Sequence, residues 1–397
     1  MPDLAGAQAI PKTSHQRPEH RIDPLADYLE WQLKNDSMRL PDSLVLEHIN
    51  CFLAPIEITS PALVVSMDNF NFHLVQEACD VLRNNFELLT PEATGLHIHI
   101  GQGRDWIPLH DLRRIAGLCY AADGLLAQLH PDHRRVDDEC ASIRLYSLLS
   151  RGVTARMLGT TYGWREGVET PPLSVGAKKD ESKGYSPIDR LAVPHGSLRG
   201  YTQHPETLVK CPIPADLLEA YPNLETNQGL PSVKAAVSEL LSCTDVRTVG
   251  RLMMCDPTRL VPAYNFGQYT LEMYRLPNVK RTIEFRQAAG DLESSAAVWA
   301  RVFTWLCEWA CEVDLETYWD VILKCSATQE KGNTDPGYDA LDLLVDLGLH
   351  AEARFLQSDH LYREAKKAVP PKPPLPKLDR PYRRLPSRIG GINRYGK

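Results

Sequence analysis

Residues 94–101 read TGLHIHIG, with histidines at alternate positions of an apolar, β-branched segment. Side chains along a strand point to opposite faces with a period of two. His97 and His99 therefore share one face, and the intervening Ile98 takes the other. The glycines on both sides of the pair leave room for a ligand to approach the backbone. This pattern predicts a strand that carries two imidazoles on one face.

Residues 281–287 read RTIEFRQ and repeat the same alternation with other side chains. Glu284 and Arg286 share a face, opposite Ile283 and Phe285. Charged and imidazole side chains on half-buried strand faces are costly unless something pairs with them. Because carboxylates and imidazoles hold metal ions and arginine binds anions, we expect a metal ion and an anionic substrate on these faces.

The overall composition is that of an ordinary globular protein. The chain has 397 residues, of which 43% are hydrophobic and 24% charged, and its net charge is -7. An acidic balance gives no reason to expect nucleic acid or an anionic membrane surface as partner. The sequence contains no apolar run of the roughly 18 residues that a membrane-spanning helix needs. We therefore expect a cytoplasmic protein.

Cysteine usage agrees with that compartment. Ten cysteines are spread along the chain, and none of them forms a C-x-x-C pair. Disulfide frameworks belong mostly to short secreted chains, and structural zinc sites need closer pairing. The sequence predicts reduced, mostly buried thiols.

Hydrophobic spacing predicts a mixture of helices and strands. The order of these elements favours an α+β fold over a regular βαβ winding. Strand character is expected within residues 52–65 and around residues 264–266, besides the two polar strands. The predicted helices are 71–86, 109–129, 233–241, 295–313, 316–324 and 339–347.

Composition also suggests the domain organisation. Residues 1–22 are expected to be disordered, and residues 23–365 to form the folded domain. Residues 170–214, rich in Pro, Gly, Ser and Lys, are expected to form a long loop or insertion. Residues 366–397 contain ten Lys/Arg, one acidic residue and many prolines, which predicts a disordered basic tail.

Several enzyme classes can be compared with the spacing of these residues. Cupin oxygenases also carry H-x-H but place a glutamate three or four residues later, where this chain has Gln102 and Gly103. The chain has no H-E-x-x-H helix, G-x-S-x-G elbow, P-loop or Rossmann fingerprint. A zinc hydrolase built on the two histidines and a carboxylate stays open. That hydrolase would need a third ligand that the sequence does not identify. Glu57 lies in a comparably apolar strand, between Ile56 and Ile58, and by itself indicates a surface or edge position.

Four motifs together resemble the amidoligase family. They are EITSP at 57–61, GLHIHIG at 95–101, YNF at 264–266 and TIEFRQ at 282–287. That family belongs to the carboxylate–amine ligase superfamily, alongside glutamine synthetase and glutamate–cysteine ligase. The likeness runs from about residue 43 to residue 313 and looks closest to the fungal branch.

The resemblance implies a glutamine-synthetase-like fold, with helices packed on the outer face of a curved, mostly antiparallel sheet. It also implies ATP-dependent joining of a carboxylate, on a small acid or a peptide, to an amine through an acyl phosphate. Phosphoryl transfer depends on positioning and on charge neutralisation, which metal ions and arginine provide.

The same resemblance assigns roles to individual residues. Glu57, His97 and Glu284 are expected to bind Mg²⁺ or Mn²⁺. His99 is expected to contact phosphate of the bound ATP, and Arg286 to clamp the transferring phosphoryl group or the substrate carboxylate. Both would then be catalytic.

One feature departs from the family pattern. The family normally opens with a strand carrying Glu-x-Glu, whose carboxylates supply further metal ligands, and this chain contains no Glu-x-Glu. Fewer carboxylates mean weaker charge compensation during phosphoryl transfer. The alternative to an active ligase is therefore a degenerate, ligase-like protein that binds a ligand without turnover.

Overall fold

The structure is a computed structural model that describes residues 29–36, 54–65, 71–135, 138–162, 231–255, 260–270, 280–292, 295–330 and 338–367. Its strands are β1 (Gln32–Asn35), β2 (Ile56–Thr59), β3 (Ile98–Gly101), β4 (Tyr264–Asn265) and β5 (Thr282–Phe285). Its longer helices are α1 (Phe72–Asn85), α2 (Leu109–Leu126), α5 (Ala155–Tyr162), α6 (Val233–Leu241), α7 (Val246–Met253), α8 (Ser295–Glu312), α9 (Leu315–Glu330), α10 (Ala340–Asp346) and α11 (His350–Lys367). Short helical turns include α3 (Asp132–Arg135), α4 (Ile143–Tyr146) and 3₁₀ segments at Ala127–Leu129, Asp138–Cys140, Leu149–Arg151 and Gly267–Tyr269.

The described strands form two small antiparallel sheets. β1 pairs with β2, and β5 lies between β3 and β4 in a three-stranded sheet. Helices together with antiparallel sheets confirm the α+β class. A curved, mostly antiparallel sheet was expected; the described strand pairs are antiparallel, and within the described residues β1 and β2 pair only with each other.

Long helices make up most of the core, and α2 lies at its centre. It packs against α6, α8, α9 and α7. One side of β5 joins this core: Ile283 and Phe285 are fully buried, and the Phe285 ring stacks on Phe303 of α8 at 4.6 Å. The hydrophobic face of β5 therefore fixes its polar face towards the outside of the core.

Local signals in the sequence explain where several helices begin. The Ser232 hydroxyl accepts a hydrogen bond from the backbone N–H of Ala235 at the start of α6. Asp339 and Asp342 form a capping box at the start of α10. Such caps satisfy backbone donors that a first helical turn leaves without partners.

Most predicted elements are confirmed, with some differences. α5, α7 and α11 were missed, and α9 is longer than the predicted 316–324. The cysteines of the described residues form no disulfides, and all but Cys311 are buried. None of the described helices has the length and apolarity that crossing a bilayer requires.

The predicted domain limits fall largely outside the described residues. Residues 1–22 and 170–214 lie wholly outside them. α11 ends at Lys367, so the helix includes the first two residues of the predicted tail, and the rest of that tail also lies outside.

Candidate functional site

The centre of the candidate site is the pairing of β3 with β5. His99 lies directly opposite Glu284 in this antiparallel pair, and His97 precedes β3 by one residue. His97 Nδ1 and His99 Nε2 each lie 3.7 Å from the same carboxylate oxygen, Oε1 of Glu284. The predicted shared face is confirmed for these three side chains, which come from distant parts of the chain.

Arg286 lies on the same face and is already held by carboxylates. Its Nη1 donates to Oε1 of Glu284 at 2.8 Å, and its Nη2 lies 3.2 Å from the carboxylate of Glu139. Its Nε also donates to the main-chain oxygen of Glu139 at 2.9 Å. Only 13% of the Arg286 side chain is exposed. The guanidinium group is therefore charge-balanced within the protein itself.

The second oxygen of Glu284 is also bonded. Asn265, opposite Glu284 on β4, donates from Nδ2 to Oε2 at 2.8 Å. Burial raises the pKa of Glu284, whereas His99 in its protonated form, the charge of Arg286 and the Asn265 hydrogen bond lower it, and the net shift is downward. Glu284 is therefore an ionised carboxylate with a fixed orientation. Sequence reasoning noted the motif containing Asn265 but assigned that residue no role.

Both imidazoles are neutral at neutral pH. Burial, followed by the charge of Arg286, lowers the pKa of His97 to about 4, although Glu284 opposes the shift. Burial, followed by the charge of Lys280, lowers the pKa of His99 to about 4 as well. A neutral imidazole keeps a lone pair, so both histidines retain the form that binds metal ions.

The buried side chain of Arg134 contacts this face, and sequence reasoning missed this residue. Its side chain is almost fully buried, at 1% exposure, and it donates to the main-chain oxygen of Arg286. A Cβ at Gly95 would lie 2.9 Å from Nη2 of Arg134 and 3.2 Å from Nε2 of His97. Gly95 is therefore required for the close approach of these two side chains. The only sequence signal that included Arg134 was a polar stretch after α2.

Glu57 lies on a different sheet from the other predicted ligands. It is exposed on β2, opposite Lys34 of β1. Asp36 follows β1 in the same pair of strands, and its charge raises the pKa of His97. Sequence reasoning did not single out Asp36, because one aspartate in a mixed segment carries no recognisable pattern.

The predicted site residues thus fall into two groups. His97, His99, Glu284 and Arg286 are brought together, and Glu57 is placed on the neighbouring hairpin sheet. Across the described part of the chain, no group of three or more His, Cys, Asp or Glu residues has an arrangement that could hold a metal ion. In the arrangement described here, Arg286 donates to the carboxylate oxygen that both histidines face.

Comparison with known proteins gives one match. Residues 11–146 match a family model described as "Putative amidoligase enzyme". The matched range contains Glu57, His97 and His99 and ends before Glu284 and Arg286. No curated protein matches the chain, and no solved structure does. The matched range is about a third of the chain, and over that range the chain is similar to this family.

Proposed function

We propose that this protein is a cytoplasmic, ATP-dependent carboxylate–amine ligase that works through an acyl phosphate on a small acid or peptide carboxylate. The observation that carries the proposal is the polar face of β3 and β5, where two neutral imidazoles lie 3.7 Å from a carboxylate bonded to arginine. The family match agrees with this class of reaction. The proposal includes the finer likeness to the fungal branch and to the glutamine-synthetase-like fold.

Phosphoryl transfer explains why such residues would be gathered on one face. The substrate carboxylate attacks the γ-phosphorus of ATP, the bond to the β-phosphate oxygen breaks, and ADP leaves. An amine then attacks the acyl carbon, and inorganic phosphate leaves with the bonding electrons. Negative charge builds up on the phosphoryl oxygens, so cationic donors that are already in place lower the barrier.

In this reaction Arg286 would act as the clamp and His99 as a phosphate contact. Arg286 is held in place by its bonds to Glu284 and Glu139, which fixes the guanidinium before substrate arrives. His99 is oriented by Thr282, whose Oγ1 lies 3.1 Å from Nδ1. That contact leaves Nε2 of the imidazole on the side of Glu284.

The donor chemistry of the face suits Mg²⁺ or, better, Mn²⁺, which accepts imidazole nitrogen as well as oxygen. His97 and Glu284 would hold the ion, with Glu57 as a further ligand from the neighbouring hairpin. Because Arg286 donates to Oε1 of Glu284, ion binding requires the guanidinium to give up that oxygen. When bound, the ion would neutralise charge on the phosphoryl oxygens.

A second function, ligand binding without turnover, is favoured by two specific observations. The chain contains no Glu-x-Glu, which removes carboxylates that the related family uses for metal ions. In addition, Arg286 is paired with two carboxylates of the protein. A protein with this arrangement could keep the fold and a binding surface while lacking phosphoryl transfer.

Measurement of ADP release distinguishes the two functions. The full chain is incubated with ATP, Mg²⁺ or Mn²⁺, and a panel of acids and amines, and ADP and amide are quantified. Formation of both in equal amounts, dependent on acid and amine together, supports the ligase. Nucleotide binding by calorimetry without ADP release across the panel supports the binding protein. Tightly held zinc and amide hydrolysis without nucleotide would overturn both in favour of a zinc hydrolase.

A further inference from the structure

Arg286 is held by two carboxylates that differ in how firmly they are fixed. Glu284 is 13% exposed, and its second oxygen accepts a hydrogen bond from Asn265. The carboxylate of Glu139 lies 3.2 Å from Nη2 of Arg286, and its side chain is 66% exposed. Because water takes over most of what an exposed ion pair gives up when it opens, Glu139 is the carboxylate that can leave Arg286 at small cost.

The backbone of Glu139 is fixed although its side chain is exposed. Its main-chain oxygen accepts a hydrogen bond from Nε of Arg286 at 2.9 Å. Ala141, two residues later, is buried, donates to the main-chain oxygen of Val261 and accepts from the N–H of Ala263, both at 2.8 Å. The oxygen of Ala263 accepts in turn from the main-chain N–H of Arg286 at 2.8 Å. The Glu139 carboxylate can therefore move while the segment that carries it stays attached beside β5.

Departure of the Glu139 side chain would uncover one nitrogen of the guanidinium group. Nη1 of Arg286 would keep its bond to Glu284, and Nε would keep its bond to the main-chain oxygen of Glu139. Nη2 would lose the carboxylate oxygen to which it donates. The carboxylate of a ligand can restore that partner through the same kind of charge-assisted hydrogen bond.

The charge balance beside Arg286 favours a carboxylate over a phosphate at this position. Arg286 carries one positive charge, and Glu284 already provides one negative charge at 2.8 Å. A ligand carboxylate would bring the same single charge as Glu139. A phosphate dianion would add a second negative charge close to Glu284 and would therefore be repelled more strongly.

We propose that the Glu139 carboxylate occupies the position of a ligand carboxylate on Nη2 of Arg286, and that a ligand binds there by displacing it. Glu139 is then a competitor built into the chain, and it sets how tightly the site binds carboxylates. The inference rests on the proposed function, in which Arg286 is the clamp, and deepens it by assigning that clamp to the substrate carboxylate.

Titration of the full chain with propionate tests this competition, because propionate reproduces the end of a glutamate side chain. Binding is followed by NMR through the arginine Nε–H signals of isotope-labelled protein, and the signal of Arg286 is the one absent in Arg286→Met. Glu139→Gln removes the charge of the competitor, and Glu139→Ala removes its whole carboxylate group. Glu77→Gln, which removes the same charge from an exposed position of α1, is the matched control.

We expect Glu139→Gln and Glu139→Ala to bind propionate about three- to tenfold more tightly than the unmodified protein, the range that loss of one exposed ion pair and its like-charge repulsion allows. Glu77→Gln should equal the unmodified protein, and Arg286→Met should not bind propionate. The Nε–H signal of Arg286 should persist in the saturated protein, because only the Glu139 side chain moves.

A purely structural role for Glu139 predicts the opposite result. If Glu139 only positions Arg286, its loss leaves propionate binding unchanged or weaker in both variants, and either outcome would overturn the inference. Absence of propionate binding in all of the proteins would overturn it as well. Orthophosphate binding at Arg286 more than about tenfold tighter than propionate binding would overturn the assignment to a carboxylate. Thermal unfolding of each variant checks that the fold is kept.

The ligase proposal fails in a different measurement. Tighter propionate binding by Glu139→Gln, without ADP release for any acid and amine, would retain the competition and remove the ligase. Ligase turnover with the same KM for the acid in Glu139→Gln and in the unmodified protein would retain the ligase and remove the competition.

Discussion

Glu284 of β5 and Arg286, which follows that strand by one residue, are joined by a 2.8 Å hydrogen bond on the face that also carries both histidines. Each side chain is 13% exposed, so the pair is mostly buried but still in contact with solvent. The carboxylate orients the guanidinium, and the guanidinium holds the oxygen that a metal ion would need. This relationship leads to the first two predictions.

Arg286→Ala should abolish turnover and leave the fold intact. Removal of one cationic donor from a transition state typically costs about 10²–10³ in rate. Glu284 keeps its hydrogen bond from Asn265, which limits the loss of stability. Turnover and thermal unfolding are measured for this variant and for Arg83→Ala, which breaks the surface pair with Asp80. Normal ligase rates in Arg286→Ala would remove Arg286 from the mechanism.

Arg286→Met should tighten Mn²⁺ binding while it lowers turnover. The substitution removes a positive charge beside the proposed ion and releases Oε1 of Glu284. Line broadening of the His97 and His99 signals by Mn²⁺, followed by NMR, reports binding without any need for activity. Glu284→Gln is the opposite control and should weaken binding, since it removes the carboxylate charge. Equal Mn²⁺ affinity in all three proteins would place the ion elsewhere.

The two histidines predict how stability depends on pH. Their folded-state pKa values are lowered from 6.5 to about 4, so between these values the unfolded chain binds more protons than the folded chain. The free energy of unfolding therefore falls as the pH falls through this window. Urea unfolding at several pH values should give a shallower slope for His97→Gln/His99→Gln than for the unmodified protein. Identical slopes would mean that the imidazoles titrate normally in the folded protein.

The charge of Lys280 gives a prediction that does not involve any ligand. Because that charge lowers the pKa of His99, Lys280→Met should raise it towards its ordinary value. NMR titration of the His99 imidazole measures the change directly, with Lys234→Met, which removes an exposed lysine of α6, as the control. A His99 pKa that stays unchanged in Lys280→Met would show that the charge of Lys280 does not act on His99.

Gly290 packs closely against the backbone that leads into the strand with the histidines, so we expect this position not to tolerate a larger residue. A Cβ there would lie 2.6 Å from Cγ2 of Thr94 and 2.9 Å from the backbone carbon of Gly95. Gly290→Ala should therefore destabilise the protein by about 1–3 kcal/mol, as overpacking usually does, and lower turnover by shifting the segment that leads into β3.

Gly159→Ala is the matched control for Gly290→Ala. Gly159 lies within α5, and no atom of the described residues lies within 4 Å of a Cβ built there. Alanine should stabilise that helix by about 0.5–1 kcal/mol. Chemical unfolding of both variants measures the contrast, and equal effects of the two substitutions would show that the Gly290 contact is not tight.

The sequence predicted the elements whose patterns are strong. Alternation of polar and apolar residues placed His97 with His99 on one strand face and Glu284 with Arg286 on another. Helical spacing predicted residues 233–241 with the bounds that the structure has. The last helix, α11, was missed because its side chains are mostly polar and its apolar spacing is weak.

The residues that support the site could not be predicted from patterns in the sequence. Arg134, Glu139 and Asn265 contact the site through tertiary packing, and nothing in their local sequence spacing relates them to it. Glu57 was grouped with the histidines by chemical similarity, and the pairing of its strand with β1 could not be predicted from that similarity. Periodicity specifies the face of a strand, whereas sheet order depends on contacts between distant segments.

The central position of β5 has a practical consequence. The segment around β3 supplies the two imidazoles, and the segment around β5 supplies the carboxylate and the guanidinium. A long stretch of chain separates the two segments. A protein cut between them would contain half of the site in each piece. Recovery of Mn²⁺-dependent broadening on mixing the pieces would therefore work as a reporter of their reassociation.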